Sequence, residues 1–235
     1  TAPAPGRIVC DVGERFDPEL GLFDHHQRGA PVRAGDGTPF SSAGLIWAAY
    51  GAEWLIRAGV PKDLVSETHA RMDRDVFLAI DMTDTGAVSP EIAGPLRGTL
   101  LSSIVADFAP HWRGQDETSM NEAFDAATRH VSGVLGRRAA AIAAEIEAEA
   151  EFRRRTAEVF PSPVVFIPGG MPWHGATTHD DCAHVRLVIH PRANGQWVIA
   201  TVPVAPGSYT TRMDLPEAWA GLSGDELREV TGVPD

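Results

Sequence analysis

The residues that most limit what this chain can become are Asp24-His25-His26, set at the end of Leu22-Phe23 and followed by Gln27-Arg28. Adjacent side chains on a strand point to opposite faces, so His25 and His26 share one task only where the strand ends. Otherwise one is a ligand and the other a substrate contact. A histidine pair alone also suits the surface of a hairpin. Neighbouring acids change that balance. Ile8-Val9-Cys10-Asp11-Val12 reads as a buried strand with Asp11 near its carboxyl end and Gly13 turning the chain, and open parallel sheets put ligands at that end. Asp81 and Asp84 follow a second apolar run, Val76 to Ile80, where two acids three apart can close a helix or coordinate a metal. Carboxylates supply hard, charge-neutralising oxygens, and imidazole suits manganese, iron, cobalt or zinc. The set therefore predicts a metal-dependent hydrolase that holds divalent cations near a phosphate.

Charge narrows the substrate. A net charge of -12 at pH 7 argues against a long duplex or a membrane surface, both of which call for a basic face. Short anionic substrates stay open, because bound metals invert the local field. Lys62 is the only lysine, so basic charge rests on arginine, which suits bidentate phosphate contacts. Cys10 and Cys182 are too few for a disulfide framework, there is no signal peptide, and no apolar run is long enough to span a bilayer. The expectation is a cytoplasmic protein with no membrane contact.

Ser41-Ser42-Ala43-Gly44-Leu45 opens a helix with a serine cap. Leu45, Ala48, Ala49, Ala52, Leu55 and Ile56 form its expected buried face, and Gly59 and Pro61 stop it. Trp47 and Trp54 read as core or subunit-contact residues. A second helical pattern covers Asp63 to Ile80. After a polar connector, Arg113 to Ser119, the positions Phe124, Val131, Leu135, Ile142 and Ile146 mark one long helix to about Arg155, placed to pack between domains or to pair with another subunit in a homo-oligomer. Val164–Ile167, Val185–Ile189 and Trp197–Val202 read as strands of one sheet, the last two as a hairpin with a longer turn at Asn194-Gly195. His179-Asp180-Asp181-Cys182-Ala183-His184 looks like a zinc cluster, but it has one cysteine and no second Cys/His pair at ligand spacing, which argues against it.

In order, Val9-Cys10-Asp11-Val12-Gly13, Phe16-Asp17-Pro18, Phe23-Asp24-His25-His26-Gln27-Arg28 and Ser41-Ser42-Ala43-Gly44-Leu45 resemble the family related to DHH phosphoesterases whose eukaryotic members are named after a melanocyte proliferating gene. The likeness continues through Trp197, Val202-Pro203, Gly207-Ser208-Tyr209, Arg212, Leu215 to Trp219 and Gly221-Leu222 to Thr231-Gly232-Val233. It implies an α/β fold: a DHH-type parallel-sheet domain joined by a long helix to a smaller C-terminal α+β domain. It also implies phosphodiester hydrolysis, 3′-to-5′ exonucleolytic, on short single-stranded RNA or another oligonucleotide. Asp11 would bridge two metals, His25 would be a ligand and His26 would contact phosphate with Arg28 beside it. Asp84 matches the family's last metal acid better than Asp81, the second choice.

Trp173 and Arg212 complete the expected substrate contacts. Manganese is the first choice of metal, with magnesium, cobalt and zinc as alternatives. The expected domains are 1–118 for the metal site, 119–157 for the connecting helix and 158–235 for the C-terminal part. The family's first motif, a histidine followed by closely spaced acids, has no counterpart here, nor has its C-terminal His- and Gly-rich segment. The alternative expectation is accordingly a catalytically impaired remnant that still binds nucleotides or a protein.

Overall fold

Val9–Cys10 (β1), Phe16–Asp17 (β2) and Leu22–Phe23 (β3) form a sheet of order β1-β3-β2. β1 runs parallel to β3, with Val9 opposite Leu22 and Cys10 opposite Phe23. Both strands therefore end at one edge, and the next residues, Asp11 and Asp24, leave it side by side. β2 is antiparallel to β3, so the sheet is mixed rather than wholly parallel. The reason is chain length: β2 and β3 are joined by one turn of 3-10 helix over Pro18–Leu20 and by Gly21, too few residues for a parallel crossover. Gly21 has φ 69°, and a Cβ there would come within 2.5 Å of the Arg7 carbonyl, so glycine is required.

The computed structural model describes residues 6–233. The chain divides into two units, Thr1–Ala143 and Ala144–Asp235. In the first, α1 (Ser42–Arg57) is capped by Ser41, whose Oγ accepts the Gly44 N–H at 3.2 Å. Its packing face is not the alanine stripe expected from spacing. Gly44, Leu45, Trp47, Gly51 and Leu55 are buried, whereas Ala48, Ala49, Ala52 and Ile56 are exposed. The glycines let neighbours close on the backbone: at Gly51 a Cβ would lie 2.7 Å from the Trp47 ring and 2.8 Å from His69. Trp47 is held between His69 and Phe77, with centroids at 4.7 and 4.3 Å, and Trp54 meets its edge at 6.0 Å, which fits the core reading of both tryptophans.

The second helical pattern becomes α2 (Val65–Met72), a π-helical stretch over Asp73–Phe77 and α3 (Leu78–Asp84). The acids after Ile80 thus belong to a helix and its end, not to a strand end. The short helices α4 (Pro90–Ala93) and α5 (Leu101–Ala106) precede α6 (Glu117–Glu158), a single helix of 42 residues that contains the boundary between the units.

In the second unit, β4 (Val164–Phe166), β5 (Leu187–Pro191) and β6 (Trp197–Thr201) form one sheet, β4 parallel and β6 antiparallel to β5, and α7 (Gly224–Thr231) follows. Leu187 pairs with Thr201 and Pro191 with Trp197, and Gly195 turns the expected hairpin at φ 84°. Phe152 of α6 packs with Val165, Ile167, Trp173, Val185, Val188 and Val202, each fully buried large side chain contributing roughly 1.5–3 kcal/mol. No helix among the described residues is long and apolar enough to cross a membrane.

Candidate metal centre

Beyond β1 the chain turns sharply, with Asp11 at φ 62°, Gly13 at 101° and Glu14 at 50°. The left-handed region costs a non-glycine residue roughly 1–2 kcal/mol. Observed at two acids in one four-residue turn, it marks a loop held by something else. That something is Asp24. The Asp11 N–H still pairs with the Phe23 carbonyl at 3.1 Å, and the returning loop donates the Glu14 N–H to Asp24 Oδ2 at 2.6 Å. Phe23, fully buried against Phe16 and Tyr50, fixes the other side.

Asp24 is 1 % exposed, and its Oδ1 accepts the backbone N–H of His25 (2.7 Å), that of His26 (3.1 Å) and Nδ1–H of His26 (2.7 Å). Burial pushes this carboxyl upward, but the hydrogen bonds from His26, Glu14 and His25 overcome it and hold the pKa at about 2. The hydrogen bond to Asp24 raises the pKa of His26 in turn, helped by the charges of Asp24, Asp11 and Asp84 against some desolvation. The charged form of His26 is thus favoured, on a ring that is 55 % exposed.

β3 ends at Phe23, so the two histidines are not bound by strand alternation: their rings lie 4.2 Å apart on one side. His25 is pinned by the start of α1. The Ser42 N–H, one of the first donors of that helix without a partner inside it, reaches Nδ1 at 3.2 Å, and Ser42 Oγ lies 3.1 Å from the same nitrogen. A backbone N–H only donates, so in the neutral ring Nδ1 accepts and the proton sits on Nε2. Asp84 Oδ2 is 3.4 Å from Nε2, and Asp11 Oδ1 is 3.5 Å from Nδ1. The structure brings Asp11, His25 and Asp84 together, with the two acids on opposite nitrogens of one ring.

Among the described residues, one ligand atom from each of Asp11, Asp24, His25 and His26 falls within 4.8 Å of all the others. Two carboxylates with two imidazoles fit a divalent cation in charge and donor type. The four are not equally available. Asp24 already accepts four hydrogen bonds and is buried, so it orients the histidines; Asp11, 62 % exposed and hydrogen-bonded through its side chain to Ser42 Oγ at 3.4 Å beside the two imidazoles, is the open acid. Asp84 is half-exposed at the end of α3.

Other residues expected in the site are placed differently. Asp81 is fully buried between Ser41 and Arg33, outside the group around His25. Arg28 is exposed in the turn after His26. In the second unit, Trp173 is buried in the core, and Arg212 donates to the carbonyls of Thr177 (2.6 Å), Cys182 (2.9 Å) and Val185 (3.2 Å), so both serve packing there. Residues 179–184 do not gather as a zinc site: Asp181 pairs with Arg153 at 2.8 Å and Cys182 is buried. Spacing reasoning missed the roles of Ser42, Ser41 and Arg33. The serines carried a signal as helix caps, whereas Arg33 lies 48 residues from its acid and carried none.

Comparison with known proteins gives the chain its family. Residues 4–235 match the model of an uncharacterised protein family (UPF0160) named for MYG1. Curated relatives include the MYG1 exonucleases of Homo sapiens (29% identical) and Rattus norvegicus (28%), aligned over 97% of this chain and 66% and 65% of theirs, and a MYG1 protein of Schizosaccharomyces pombe (27%, 97% and 75%). The chain therefore spans about two thirds of the length of those mammalian relatives. No solved structure matches it significantly. With a family model covering nearly every residue, the chain belongs to the MYG1 family.

Proposed function

We propose that this chain carries the catalytic site of a metal-dependent phosphodiester hydrolase of DHH type, a 3′-to-5′ exonuclease that acts on short single-stranded RNA with manganese as its metal. The observation that carries the reading is the meeting of Asp11, His25 and Asp84 beside His26, whose ring is hydrogen-bonded to Asp24. The printed names of the mammalian relatives, MYG1 exonuclease, support the reaction class.

A divalent cation held by Asp11 and by His25 Nδ1 in place of the Ser42 N–H, with Asp84 facing Nε2–H, would supply Lewis-acid activation of water and of the phosphoryl oxygens. His26 gives its Nδ1–H to Asp24, which leaves its Nε2–H for a non-bridging phosphate oxygen and for charge developing there. Arg28 stands two residues further on as a second cation for the same phosphate. Asp24 does no chemistry; it holds both histidines and stabilises the imidazolium. The net charge of -12 supports a short substrate, because no large positive field is present to track a long strand.

The test is calorimetric titration with Mn²⁺, then digestion of short single-stranded RNA labelled at its 5′ end. Wild type should bind the ion, and His25→Ala should lose most of that affinity together with a ladder of 3′-shortened products. Unchanged Mn²⁺ affinity in His25→Ala would overturn the assignment. Preference for a duplex with steep salt dependence would overturn the substrate.

A further inference from the structure

Asp81 is a fully buried carboxylate of the first unit that the chemistry above does not use. It is 0 % exposed. Its Oδ1 accepts the Ser41 N–H at 3.0 Å and the Ser41 hydroxyl at 2.6 Å; its Oδ2 accepts from Arg33 Nε at 2.8 Å, with Nη2 in ion-pair contact at 2.6 Å. Arg33 is itself fixed, bridging to Asp73 through Nη1 and lying over the Phe40 ring at 4.6 Å. A buried acid so held is a rigid anchor, since separating it from Arg33 would leave a charge unpaired in the interior.

What it anchors is the first turn of α1. Ser41 is the cap, and the next residue, Ser42, gives its N–H to His25 Nδ1 and its hydroxyl to Asp11 Oδ1, with Oγ 3.1 Å from the same Nδ1. Gly44 completes the arrangement, because a Cβ at that position would collide with both carboxylate oxygens of Asp81. The carboxylate can lie against the opening turn only where that residue is glycine.

We propose that Asp81 is a positioning residue: through Ser41 it fixes the start of α1 so that Ser42 dictates the ring orientation and tautomer of His25 and keeps Asp11 beside it. The inference rests on the reading of Asp11 and His25 as metal-binding groups, and assigns Asp81 to the layer behind them rather than to the metal. Groups that orient a metal-binding histidine typically matter for affinity by 10–100-fold when removed.

The test uses the whole chain and two readouts. The first is the His25 tautomer in the metal-free protein, read from ring nitrogen NMR shifts; the second is Mn²⁺ affinity by calorimetry. Wild type should show His25 with the proton on Nε2. Asp81→Asn and Ser41→Ala should mix the tautomers and weaken Mn²⁺ binding by roughly tenfold. Asp73→Asn, which touches Arg33 but not Ser41, should leave the tautomer as in wild type and affinity within about threefold.

Ser41→Ala keeps the backbone N–H to Asp81 and so preserves a folded variant should Asp81→Asn not fold. A folded Ser41→Ala or Asp81→Asn with wild-type tautomer and affinity overturns the proposal, as does an equal loss in Asp73→Asn. If wild type binds no Mn²⁺ while the tautomer still shifts in the two variants, the metal reading fails and the positioning role stands.

Discussion

Replacing Asp24 with asparagine keeps the shape of the side chain and removes its charge, which isolates what that carboxylate does. In the native site it accepts from the N–H groups of Glu14, His25 and His26 and from His26 Nδ1–H, at 2.6 to 3.1 Å, with 1 % exposure. An asparagine can turn its oxygen toward the two histidines, but its NH₂ then faces the Glu14 N–H, donor against donor. Three retained bonds fall from charge-assisted to neutral strength at about 1 kcal/mol each, and one orphaned buried donor costs about 1–3 kcal/mol more, for a total of about 4–6 kcal/mol. For a chain of this size that is a fall of roughly 8–24 °C in Tm, measurable by scanning calorimetry.

The pH dependence carries a second signature. The folded pKa of Asp24 lies below its ordinary 3.8, so its contribution is complete above about 4 and is lost as pH falls toward about 2. The gap between wild type and Asp24→Asn should therefore widen as pH falls and His26 takes up its proton, stay constant from about 6 down to about 4 and then close. A Tm for Asp24→Asn within about 2 °C of wild type at neutral pH would refute the reasoning, because four hydrogen bonds to a buried acid cannot be lost or weakened at no cost.

Two further outcomes follow from the same geometry. Gly44→Ala should destabilise by roughly 1–3 kcal/mol by urea unfolding, since the clash with a rigid Asp81 exceeds the gain of about 1 kcal/mol in helix propensity; a stabilised variant would show that the carboxylate can move aside. His26 is held above its ordinary pKa of 6.5 by Asp24, so inorganic phosphate binding that uses its imidazolium should be full below 6.5 and decline as pH rises through the raised value. A profile that declines identically in His26→Gln would assign that dependence elsewhere.

The parts of the fold written in local pattern were legible in the sequence. Ser41 announces α1, the apolar spacing announces α6, and Asn194-Gly195 between two apolar runs announces the hairpin of β5 and β6. The rest depends on what meets across the chain. The buried face of α1 could not be read from its alanines, because Gly44 and Gly51 are buried where a carboxylate and a tryptophan press on the backbone, and burial of that kind has no hydropathy. Phe16 enters a strand because it packs on Phe23 from the antiparallel neighbour, a contact that its local sequence does not announce.

The site divides along the same line. Composition found Asp11, His25 and Asp84 as chemical types, but it could not rank the acids, because their uses are set by distant donors. Asp24, inside the most conspicuous stretch, is taken up by four hydrogen bonds, and Asp81 by Ser41 and Arg33. Asp11 and Asp84 are the acids left half-exposed at the histidine ring. Asp11 stays open because the turn holds its backbone in a left-handed conformation, and Asp24 holds that turn through the Glu14 N–H. The acid least able to take a cation is thus the one that keeps another acid free to do so. A hydrogen-bond count per carboxylate, more than the motif that contains it, separates ligands from supports here.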